Sequence, residues 1–340
     1  MTTMGAGSSQ VRSVLAIDVV ICTYNRAACL DAVLATLALQ AHDDDMVWRV
    51  LVVDNASTDA TPDVVASHVG RLPDLRRVFE PEQGLTAARH RGVQETTAPW
   101  IAFVDDDNHL APDWLSAIAR AIRAHPDAGG IGGKVVLDWE VPAPPYLKEF
   151  GFCFAEQDGG DADRVIESLA GAGMVLRRAA LVESGWLARP LVADRVGKRL
   201  VSGGDVEIAQ RVRAAGYDLW FTPAAILKHR IPASRTGRRY LLRIIRGLGA
   251  SSAQISALTW PQDWRSWQAM AHDKRAYWYR YARSRLKEAA KRRSGWMPAL
   301  AWTSFALGFA RGVRACEGLT ESQRAVLLGA APLPASSASA

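Results

Sequence analysis

Three consecutive carboxylates, Asp105, Asp106 and Asp107, carry the strongest chemical signal in this sequence. They follow directly on the apolar run Trp100 to Val104, which is typical of a buried strand. Adjacent carboxylates repel one another, and a divalent cation among them relieves the repulsion. Hard oxygen ligands suit Mg²⁺ or Mn²⁺ bridging a diphosphate. The alternative is a polar loop whose aspartates cap the next helix, but the position after a strand favours a metal.

Polar side chains also follow two further predicted strands. Thr23, Tyr24 and Asn25 come after the first apolar run, and Tyr24 offers a ring on which a nucleobase can pack. Asp54 ends the second strand, where a carboxylate can accept hydrogen bonds from a base edge or a ribose hydroxyl. The alternatives are a core tyrosine and an Asx-turn that begins the loop.

The elements that would position these groups alternate along the chain. Strands are predicted at 15–21, 47–53, 76–79 and 100–104, each followed by apolar residues at helical spacing. Such alternation predicts an α/β fold with a mostly parallel sheet flanked by helices. In such a sheet, ligands bind outside the carboxyl ends of the strands, where the polar clusters fall.

The pattern changes after a helix predicted near 112–124. The segments predicted next are a glycine-punctuated strand at 129–139, loops at 142–146 and 156–163, a strand at 171–176, a helix at 205–214, and short strands at 219–222 and 225–227. From about residue 240 the pattern is helical, basic and rich in tryptophan.

Composition excludes several classes of protein. The chain has 340 residues, 49% of them hydrophobic and 22% charged, which supports one large α/β domain or two ordinary ones. Disorder, collagen and a disulfide miniprotein are excluded. The four cysteines show no metal-ligand spacing and are expected to be free thiols. No uncharged apolar run reaches the roughly 18 to 20 residues of a membrane span.

The net charge of +6 is unevenly distributed. Residues 230–316 hold 18 Lys and Arg against three acidic residues, a net charge of +15, and the remainder carries −9. Nine Trp and Tyr side chains interleave with these cations, which is typical of helices that lie on anionic lipid. The alternatives are a helical appendage with packed tryptophans, and single-stranded nucleic-acid binding, for which no recognition module is visible.

Four segments in order resemble the family 2 glycosyltransferases, inverting enzymes with the GT-A fold. They are Val19-Val20-Ile21-Cys22-Thr23-Tyr24-Asn25-Arg26, Val52-Val53-Asp54-Asn55-Ala56-Ser57-Thr58-Asp59, Gly84-Leu85-Thr86-Ala87-Ala88-Arg89 before Gly92, and Phe103-Val104-Asp105-Asp106-Asp107. Each segment alone is a weak signal, and their order makes the match specific. The resemblance covers about 17–232 and implies a Rossmann-type GT-A sheet.

The resemblance implies a nucleotide-diphospho-sugar donor, UDP-, GDP- or dTDP-linked. The residues implied to bind it are Thr23, Tyr24, Asn25, Arg26, Asp54, Asn55, Arg89, Asp105 and Asp106. Asp107 is the implied ligand of Mn²⁺ or Mg²⁺, and His229 completes the metal shell on the same pattern. A helix-surface ion pair is the alternative for Arg89, and a solvent-facing position is the alternative for His229.

The resemblance also extends to the acceptor side. Gly203-Gly204-Asp205-Val206-Glu207 resembles the Glu-Asp pair of the family at a helix N-terminus, with Gly204 in place of the usual Glu. Asp205 then matches the base that deprotonates the acceptor hydroxyl, and Glu207 is the fallback; a helix N-cap is the alternative for Asp205. The segment implied to line the sugar and acceptor site is Gly171, Ala172, Gly173 and Met174.

These patterns predict a metal-dependent, inverting glycosyltransferase that moves a single sugar to a glycan or lipid-linked acceptor in bacterial surface polysaccharide synthesis. A processive synthase is disfavoured, because Gln210 to Ala214 lacks the Trp of a Q-x-x-R-W signature. The alternatives are a nucleotide-sugar pyrophosphorylase and a catalytically silent sugar-binding or membrane-docking protein.

The predicted organisation has four parts. A disordered lead at 1–14 precedes a catalytic domain at 15–235, a basic helical extension at 236–328 and a disordered tail at 329–340. The catalytic domain divides into a nucleotide-sugar-binding half, 15–128, and an acceptor-side half, 129–235. The expected location is the cytoplasm, with peripheral attachment to the inner face of the cell membrane if the basic region binds lipid. No nucleic-acid partner is expected.

Overall fold

The computed structural model describes residues 14–43, 45–191, 203–258, 260 and 263–327. The expected disordered ends lie outside the described residues, apart from residue 14. The first half alternates strand and helix, as the hydrophobic pattern predicts. Its elements are β1 (Leu15–Thr23), α1 (Ala27–Leu37), β2 (Met46–Asp54), α2 (Thr61–His68), β3 (Arg76–Phe79), α3 (Leu85–Gln94) and β4 (Trp100–Asp105).

The strand β1 lies between β2 and β4 and is parallel to both. Val19 packs in one hydrophobic cluster with α1, and Val20 packs in another with α3, so helices cover both faces of the sheet. This explains why the strand is a continuous β-branched run rather than an alternating one. The parallel register aligns Thr23 with Asp54 and Cys22 with Asp105. Polar residues that follow three strands therefore meet at one edge of the sheet.

The second half completes a mixed sheet. Its elements are β5 (Asn108–Leu110), α4 (Trp114–Ala124), β6 (Gly130–Trp139), a 3₁₀ segment (Pro145–Phe154), β7 (Arg164–Ile166), β8 (Met174–Arg177), α5 (Arg178–Glu183), α6 (Gly204–Ala214) and β9 (Leu219–Ile231). The order of strands is β3-β2-β1-β4-β8-β6-β9-β5, and β7 pairs with β9. β8 is antiparallel to both β4 and β6, so the sheet is mostly but not wholly parallel.

The prediction of two short strands at 219–222 and 225–227 is wrong, because β9 is one continuous strand. Its register with β6 shifts between Gly133 and Lys134, and the residues left out of the ladder there accommodate Pro223, which cannot donate a ladder hydrogen bond. A Cβ at Gly133 would lie 1.9 Å from the carbonyl oxygen of Ala225, so only glycine fits opposite. The long strand carries His229 to its pairing with Asn108, beside the Asp cluster.

Within the described residues, β9 is followed by a 3₁₀ turn (Ala233–Arg235) and by the α-helices α7 (Arg238–Leu258), α8 (Trp264–Arg292), α9 (Trp296–Glu317) and α10 (Glu321–Leu327). Their core includes Leu241 and Ile244 of α7, and the same hydrophobic cluster contains Phe150 and Phe154 of the 3₁₀ segment and Ile231 of β9. The helices therefore share a core with the second half of the sheet domain. No helix in the described part of the chain is long and apolar enough to cross a membrane.

Candidate active site

A cavity of about 370 Å³ opens where β1 and β4 end. Its walls come from the end of β1, the Asp cluster, the start of α3, the 3₁₀ segment, the start of α6, the end of β9 and α7. This volume is within the range of small-molecule sites. The fold thus brings together, around one space, residues more than 200 positions apart in the sequence.

Asp106 ties the end of β1 to the end of β4. Its Oδ2 accepts a hydrogen bond of 2.8 Å from Oγ1 of Thr23, and Nη1 of Arg26 donates to its Oδ1. Burial raises the pKa of Asp106 to about 7, although the charge of Arg26 acts in the opposite direction. Thr23 and Arg26 therefore reach the cavity wall as parts of one network with the Asp cluster.

Asp107 has three donors around its carboxylate. Nη1 of Arg26 lies 2.9 Å and Nη1 of Arg235 lies 3.3 Å from its Oδ2, and Nε2 of His229 lies 3.2 Å from its Oδ1. Burial acts to raise the pKa of Asp107, but His229 and the two guanidinium groups hold it well below its usual range. Asp107 is therefore a buried anion with cationic partners.

His229 is 6% exposed, so the solvent-facing alternative is excluded. Its Nδ1–H donates a hydrogen bond of 2.7 Å to the carbonyl oxygen of Phe154, and its Nε2 faces Asp107. Burial opposes protonation, yet the hydrogen bond and charge of Asp107 raise the pKa of His229. If the imidazole were neutral with its proton on Nδ1, the unprotonated Nε2 would face the carboxylate oxygen of Asp107, and both atoms are acceptors. A proton or a metal ion must therefore lie between Nε2 and this oxygen.

These groups fit a divalent cation that arrives with a diphosphate. Across the described ranges, no three His, Cys, Asp or Glu side chains form a complete metal site by themselves. Mg²⁺-type sites commonly use only one or two protein carboxylates and take their other ligands from substrate phosphates and water. Asp107 and His229 are the donors that fit, and the carbonyl of Phe154 fixes the imidazole as an outer partner does.

Asp105 ends β4 and lines the cavity. The helix-capping alternative for the Asp cluster is excluded, because the chain continues into β5 and α4 begins only at Trp114, with Asp113 as its N-cap. The three carboxylates thus lie at a strand end that faces the cavity.

The carboxylate of Asp54 accepts hydrogen bonds from other residues of the sheet and its loops. Asp54 is 1% exposed; its Oδ1 accepts a hydrogen bond of 2.9 Å from the backbone N–H of Ser57, and its Oδ2 accepts one of 2.7 Å from Nη1 of Arg77. This is the loop-starting turn that was the alternative for this residue. Asp54 is not among the residues that line the cavity, so its contact with a base or ribose stays a prediction.

The two asparagines predicted for the donor site differ in position. Asn55 lines the cavity and holds the loop before α3, because its Oδ1 accepts a hydrogen bond of 2.8 Å from the N–H of Gly84. Asn25 is not among the lining residues; its Oδ1 accepts a hydrogen bond of 2.7 Å from the N–H of Thr58. Asn25 therefore shapes the loop after β1 rather than the cavity surface.

Tyr24 and Arg89 both line the cavity. Tyr24 is 40% exposed, which excludes the core-tyrosine alternative and leaves its ring accessible for stacking. Arg89 is 3% exposed, so its side chain does not lie on the helix surface, and its guanidinium lies 5.7 Å from the ring centroid of Phe103.

Asp205 also lines the cavity, in the first turn of α6. Its Oδ2 accepts a hydrogen bond of 3.0 Å from the N–H of Gly171, and its Oδ1 accepts one of 2.9 Å from the N–H of Val206. The N-cap of α6 is Gly203, so the N-cap alternative for Asp205 is excluded. Two backbone donors thus orient a cavity-facing carboxylate, as a general base requires.

The segment from Gly171 to Met174 is divided by the fold. Gly171 and Ala172 line the cavity. Gly173 has φ +72°, a left-handed conformation that favours glycine, and its Cβ would lie 2.4 Å from a methyl carbon of Leu227. Met174 is fully buried in the sheet core. Gly173 and Met174 therefore lie behind the part of the cavity wall that Gly171 and Ala172 form.

Glu207 is not among the residues that line the cavity, and it is 0% exposed. Its two carboxylate oxygens accept hydrogen bonds from the N–H of Leu191 at 2.9 and 3.0 Å, and Nε of Arg211 donates to Oε1 at 2.7 Å. Arg211 in turn donates to the carbonyl of Arg189. The geometry thus gives Glu207 a structural position and favours Asp205 as the base.

The sequence patterns missed several residues of the cavity. They are Cys22, Gln83, Phe152, Cys153, Phe154, Arg235, Tyr240 and Leu248. Arg235 was visible only as one of many cations after His229, and nothing in its spacing marks it. Phe152 and Phe154 follow a proline-rich loop whose position in the fold was not predictable from local pattern.

The sequence model described as Glycosyl transferase family 2 matches residues 18–183. Over 125 residues the chain is 41% identical to the validoxylamine A glucosyltransferase of Streptomyces hygroscopicus subsp. jinggangensis, covering 36% of this chain and 28% of that protein. Over 227 residues it is 23% identical to the glucosyl-dolichyl phosphate glucuronosyltransferase of Haloferax volcanii, covering 65% of this chain and 71% of that protein.

The fold has a solved counterpart in a mannosyltransferase from Pyrobaculum calidifontis in complex with GDP-Man and Mn²⁺. The TM-score is 0.51 at 18% identity, over 92% of this chain and 78% of that one, a likeness that shows the shared fold. Residues 18–183, close to half of the chain, match glycosyl transferase family 2, and the architecture is that of a GT-A fold. The aligned region reaches little more than a quarter of the length of the Streptomyces relative.

Proposed function

We propose that the protein is a metal-dependent, inverting glycosyltransferase that moves one sugar from a nucleotide-diphospho-sugar to a hydroxyl of a glycan or lipid-linked acceptor. One observation carries the proposal: Asp107, His229 and the oriented carboxylate of Asp205 line a single cavity. The two sets of groups are those that a transfer needs for a diphosphate and for an acceptor hydroxyl.

The donor half of the cavity is assigned to the groups at the ends of β1 and β4. Tyr24 offers an accessible ring for the base, and Arg26 and Arg89 offer guanidinium groups that suit phosphate oxygens. The Pyrobaculum counterpart was solved with a GDP-linked sugar and Mn²⁺, which supports this class of donor. The base can be that of a UDP-, GDP- or dTDP-linked donor.

Asp107 and His229 would hold Mn²⁺ or Mg²⁺, and Asp105 lies on the same wall. When bound, the metal supplies charge compensation for the leaving diphosphate. Arg26 and Arg235 lie at the same carboxylate and add positive charge beside it. The site therefore has cationic groups on the side where the leaving group develops negative charge.

Asp205 takes the proton of the acceptor hydroxyl as that oxygen attacks the anomeric carbon. The new carbon–oxygen bond forms on the face opposite the breaking bond to the diphosphate, so the configuration inverts. The nucleoside diphosphate leaves with the bonding electron pair, and the proton remains on Asp205 until it exchanges with solvent. The backbone donors at Gly171 and Val206 keep the carboxylate aimed at the cavity.

The proposed setting is surface polysaccharide synthesis in a bacterium, at the cytoplasmic face of the cell membrane, with the basic C-terminal helices on anionic lipid. The Haloferax relative carries a glucosyl-dolichyl phosphate in its name, which supports a lipid-linked acceptor. The Streptomyces relative is named for validoxylamine A, so the names of the two relatives point to different acceptors. Non-processive transfer of one sugar suits either acceptor.

The proposal is tested by measuring the melting temperature of the protein with each member of a panel of nucleotide-diphospho-sugars, with and without Mn²⁺. The matching donor is expected to raise the melting temperature only when Mn²⁺ is present, because a ligand that binds the native state alone stabilises it. Slow release of the nucleoside diphosphate into water should accompany binding. If no donor stabilises the protein, the proposal fails; formation of a nucleotide sugar from a nucleoside triphosphate and a sugar phosphate would instead indicate a pyrophosphorylase.

A further inference from the structure

The outer face of α8 is basic over its C-terminal half. The helix holds nine Lys and Arg residues and two acidic residues. Arg280, Arg283, Lys287 and Lys291 follow one another at spacings of three and four, which places them on one side of the helix. All four are exposed. Within the part of the chain that the structure describes, none of these four side chains has an ion-pair partner.

The acidic residues of α8 do not neutralise this face. Glu288 is already paired with Arg292 at 2.9 Å, and Arg285 is paired with Glu149 of the 3₁₀ segment at 3.1 Å. Asp273 lies a turn or more N-terminal to the first of the four cations. The unpaired positive charge is therefore concentrated between Arg280 and Lys291.

The aromatic residues of the C-terminal region are divided by the fold. Trp267 is fully buried, and Trp278 stacks on Trp302 of α9 at 5.8 Å between ring centroids. These side chains form the core between helices and cannot touch a partner. Tyr277 on α8 and Trp296 at the start of α9 remain outside it, 51% and 48% exposed.

Exposed apolar side chains also lie before and after the row of cations along the chain. Tyr277 precedes Arg280 by one turn, and Leu300, 42% exposed, lies one turn beyond Trp296. Rings and aliphatic side chains beside a row of unpaired cations match the composition of helices that lie in the headgroup region of a bilayer. Charge complementarity selects an anionic lipid surface over a neutral one.

We propose that the face formed by Tyr277, Arg280, Arg283, Lys287 and Lys291, with Trp296 and Leu300, docks on an anionic lipid surface. The cations contact lipid phosphates, and the aromatic and aliphatic side chains enter the headgroup layer.

The docking face is linked to the cavity by a short chain of rings. Phe152 lines the cavity and is 49% exposed, and its ring centroid lies 6.4 Å from that of Trp302, which stacks on Trp278 of α8. The rim of the cavity at Phe152 is therefore connected, through Trp302 of α9, to the helix that carries the cations. Delivery of a lipid-linked acceptor to this rim rests on the proposed function, whereas the lipid contact itself does not.

The full-length protein is sedimented with vesicles of phosphatidylcholine alone and with vesicles that contain phosphatidylglycerol. A variant with the four changes Arg280→Gln, Arg283→Gln, Lys287→Gln and Lys291→Gln tests the face. The matched control removes the same charge from exposed arginines of the sheet domain: Arg71→Gln, Arg120→Gln, Arg164→Gln and Arg213→Gln. Circular dichroism melting curves confirm that both variants are folded, and all eight positions are surface residues.

The native protein is expected to sediment with the phosphatidylglycerol vesicles at low salt and not with phosphatidylcholine alone. Each cation removed from the face should weaken partitioning by about 5-fold, so the four changes should cost roughly 100-fold or more. The control should change partitioning by less than about 5-fold, and added salt should weaken binding of the native protein.

Three results would overturn the proposal: equal sedimentation with both vesicle types, equal losses in the two variants, and a single-stranded oligonucleotide that binds through the same four cations when phosphatidylglycerol vesicles do not. Donor binding by the soluble protein is measured alongside. If it persists while lipid binding fails, the docking surface is wrong and the proposed transfer activity stands.

Discussion

Nη1 of Arg235 lies 3.3 Å from Oδ2 of Asp107, a contact that joins residues 128 positions apart. Arg235 follows β9 and lies beyond the segment that the family model matches. The same carboxylate oxygen also accepts a hydrogen bond from Arg26 at 2.9 Å. A residue from outside the matched segment thus adds charge at the proposed metal ligand.

Arg235→Gln should weaken binding of a nucleoside diphosphate in the presence of Mn²⁺ by about 10-fold, because a charge-assisted contact of roughly 1.5 kcal/mol or more is removed. Isothermal titration calorimetry measures the change. Arg239→Gln, an exposed neighbour on α7, is the matched control and should bind normally. Equal affinities in the two variants would show that Arg235 has no part in the diphosphate site.

Asp107→Asn should abolish the Mn²⁺ dependence of nucleotide binding. The amide keeps the shape of the side chain but loses the negative charge that a divalent cation requires. Titrations with and without Mn²⁺ should give similar, weak affinities for this variant. Asp113→Asn, at the exposed N-cap of α4, should retain the full effect of Mn²⁺. A normal response to Mn²⁺ in Asp107→Asn would remove Asp107 from the metal site.

Asp205→Asn and Glu207→Gln should separate chemistry from stability. Loss of a general base is expected to lower turnover by about 100-fold or more while donor binding is kept. Glu207→Gln breaks a buried charge pair with Arg211 and should lower the free energy of unfolding by about 3 kcal/mol. Turnover assays and denaturant titrations measure the two effects. Near-normal turnover in Asp205→Asn would exclude it as the base.

Gly308→Ala should destabilise the packing of α9 on α7. A Cβ at Gly308 would lie 2.0 Å from the carbonyl oxygen of Arg246, and backbone atoms cannot move aside as a flexible side chain can. Overpacking of this kind costs about 1–3 kcal/mol, which lowers the melting temperature by several degrees. Gly237→Ala, where no atom lies within 4 Å, is the control and should melt as the native protein does. Identical melting curves for Gly308→Ala and the native protein would show that α7 and α9 can move apart enough to fit the added methyl group without loss of stability.

Local pattern predicted the first half of the fold closely. The third strand has the predicted bounds, 76–79, because its two apolar residues and the helical repeat after it are visible within a short stretch of sequence. Pattern failed at β9, where Pro223 indicated a break. The sheet tolerates that proline because the register with β6 shifts there, and a register is a property of two strands rather than one.

For the site, too, local pattern predicted some features and longer-range contacts decided others. Residue type and position after a strand identified the Asp cluster, the family resemblance identified Asp205, and all four carboxylates line the cavity. Position after a strand also predicted a donor contact for Asp54; its carboxylate accepts hydrogen bonds from Ser57 and Arg77, and the donor contact stays a prediction. A buried carboxylate at a strand end has the same sequence signature whether it faces a ligand or an arginine of the neighbouring strand.

By itself, the sequence determined the alternation of strands and helices, the family segment and the carboxylates that can bind a metal or a proton, since these depend on local periodicity and residue type. Only the tertiary structure decided that Arg235 and Phe154 complete the surroundings of Asp107 and His229, that Glu207 is fully buried outside the cavity lining, and which cations of α8 remain unpaired. Contacts between residues about 75 to 130 positions apart depend on strand order, register and helix packing, which the whole chain sets together.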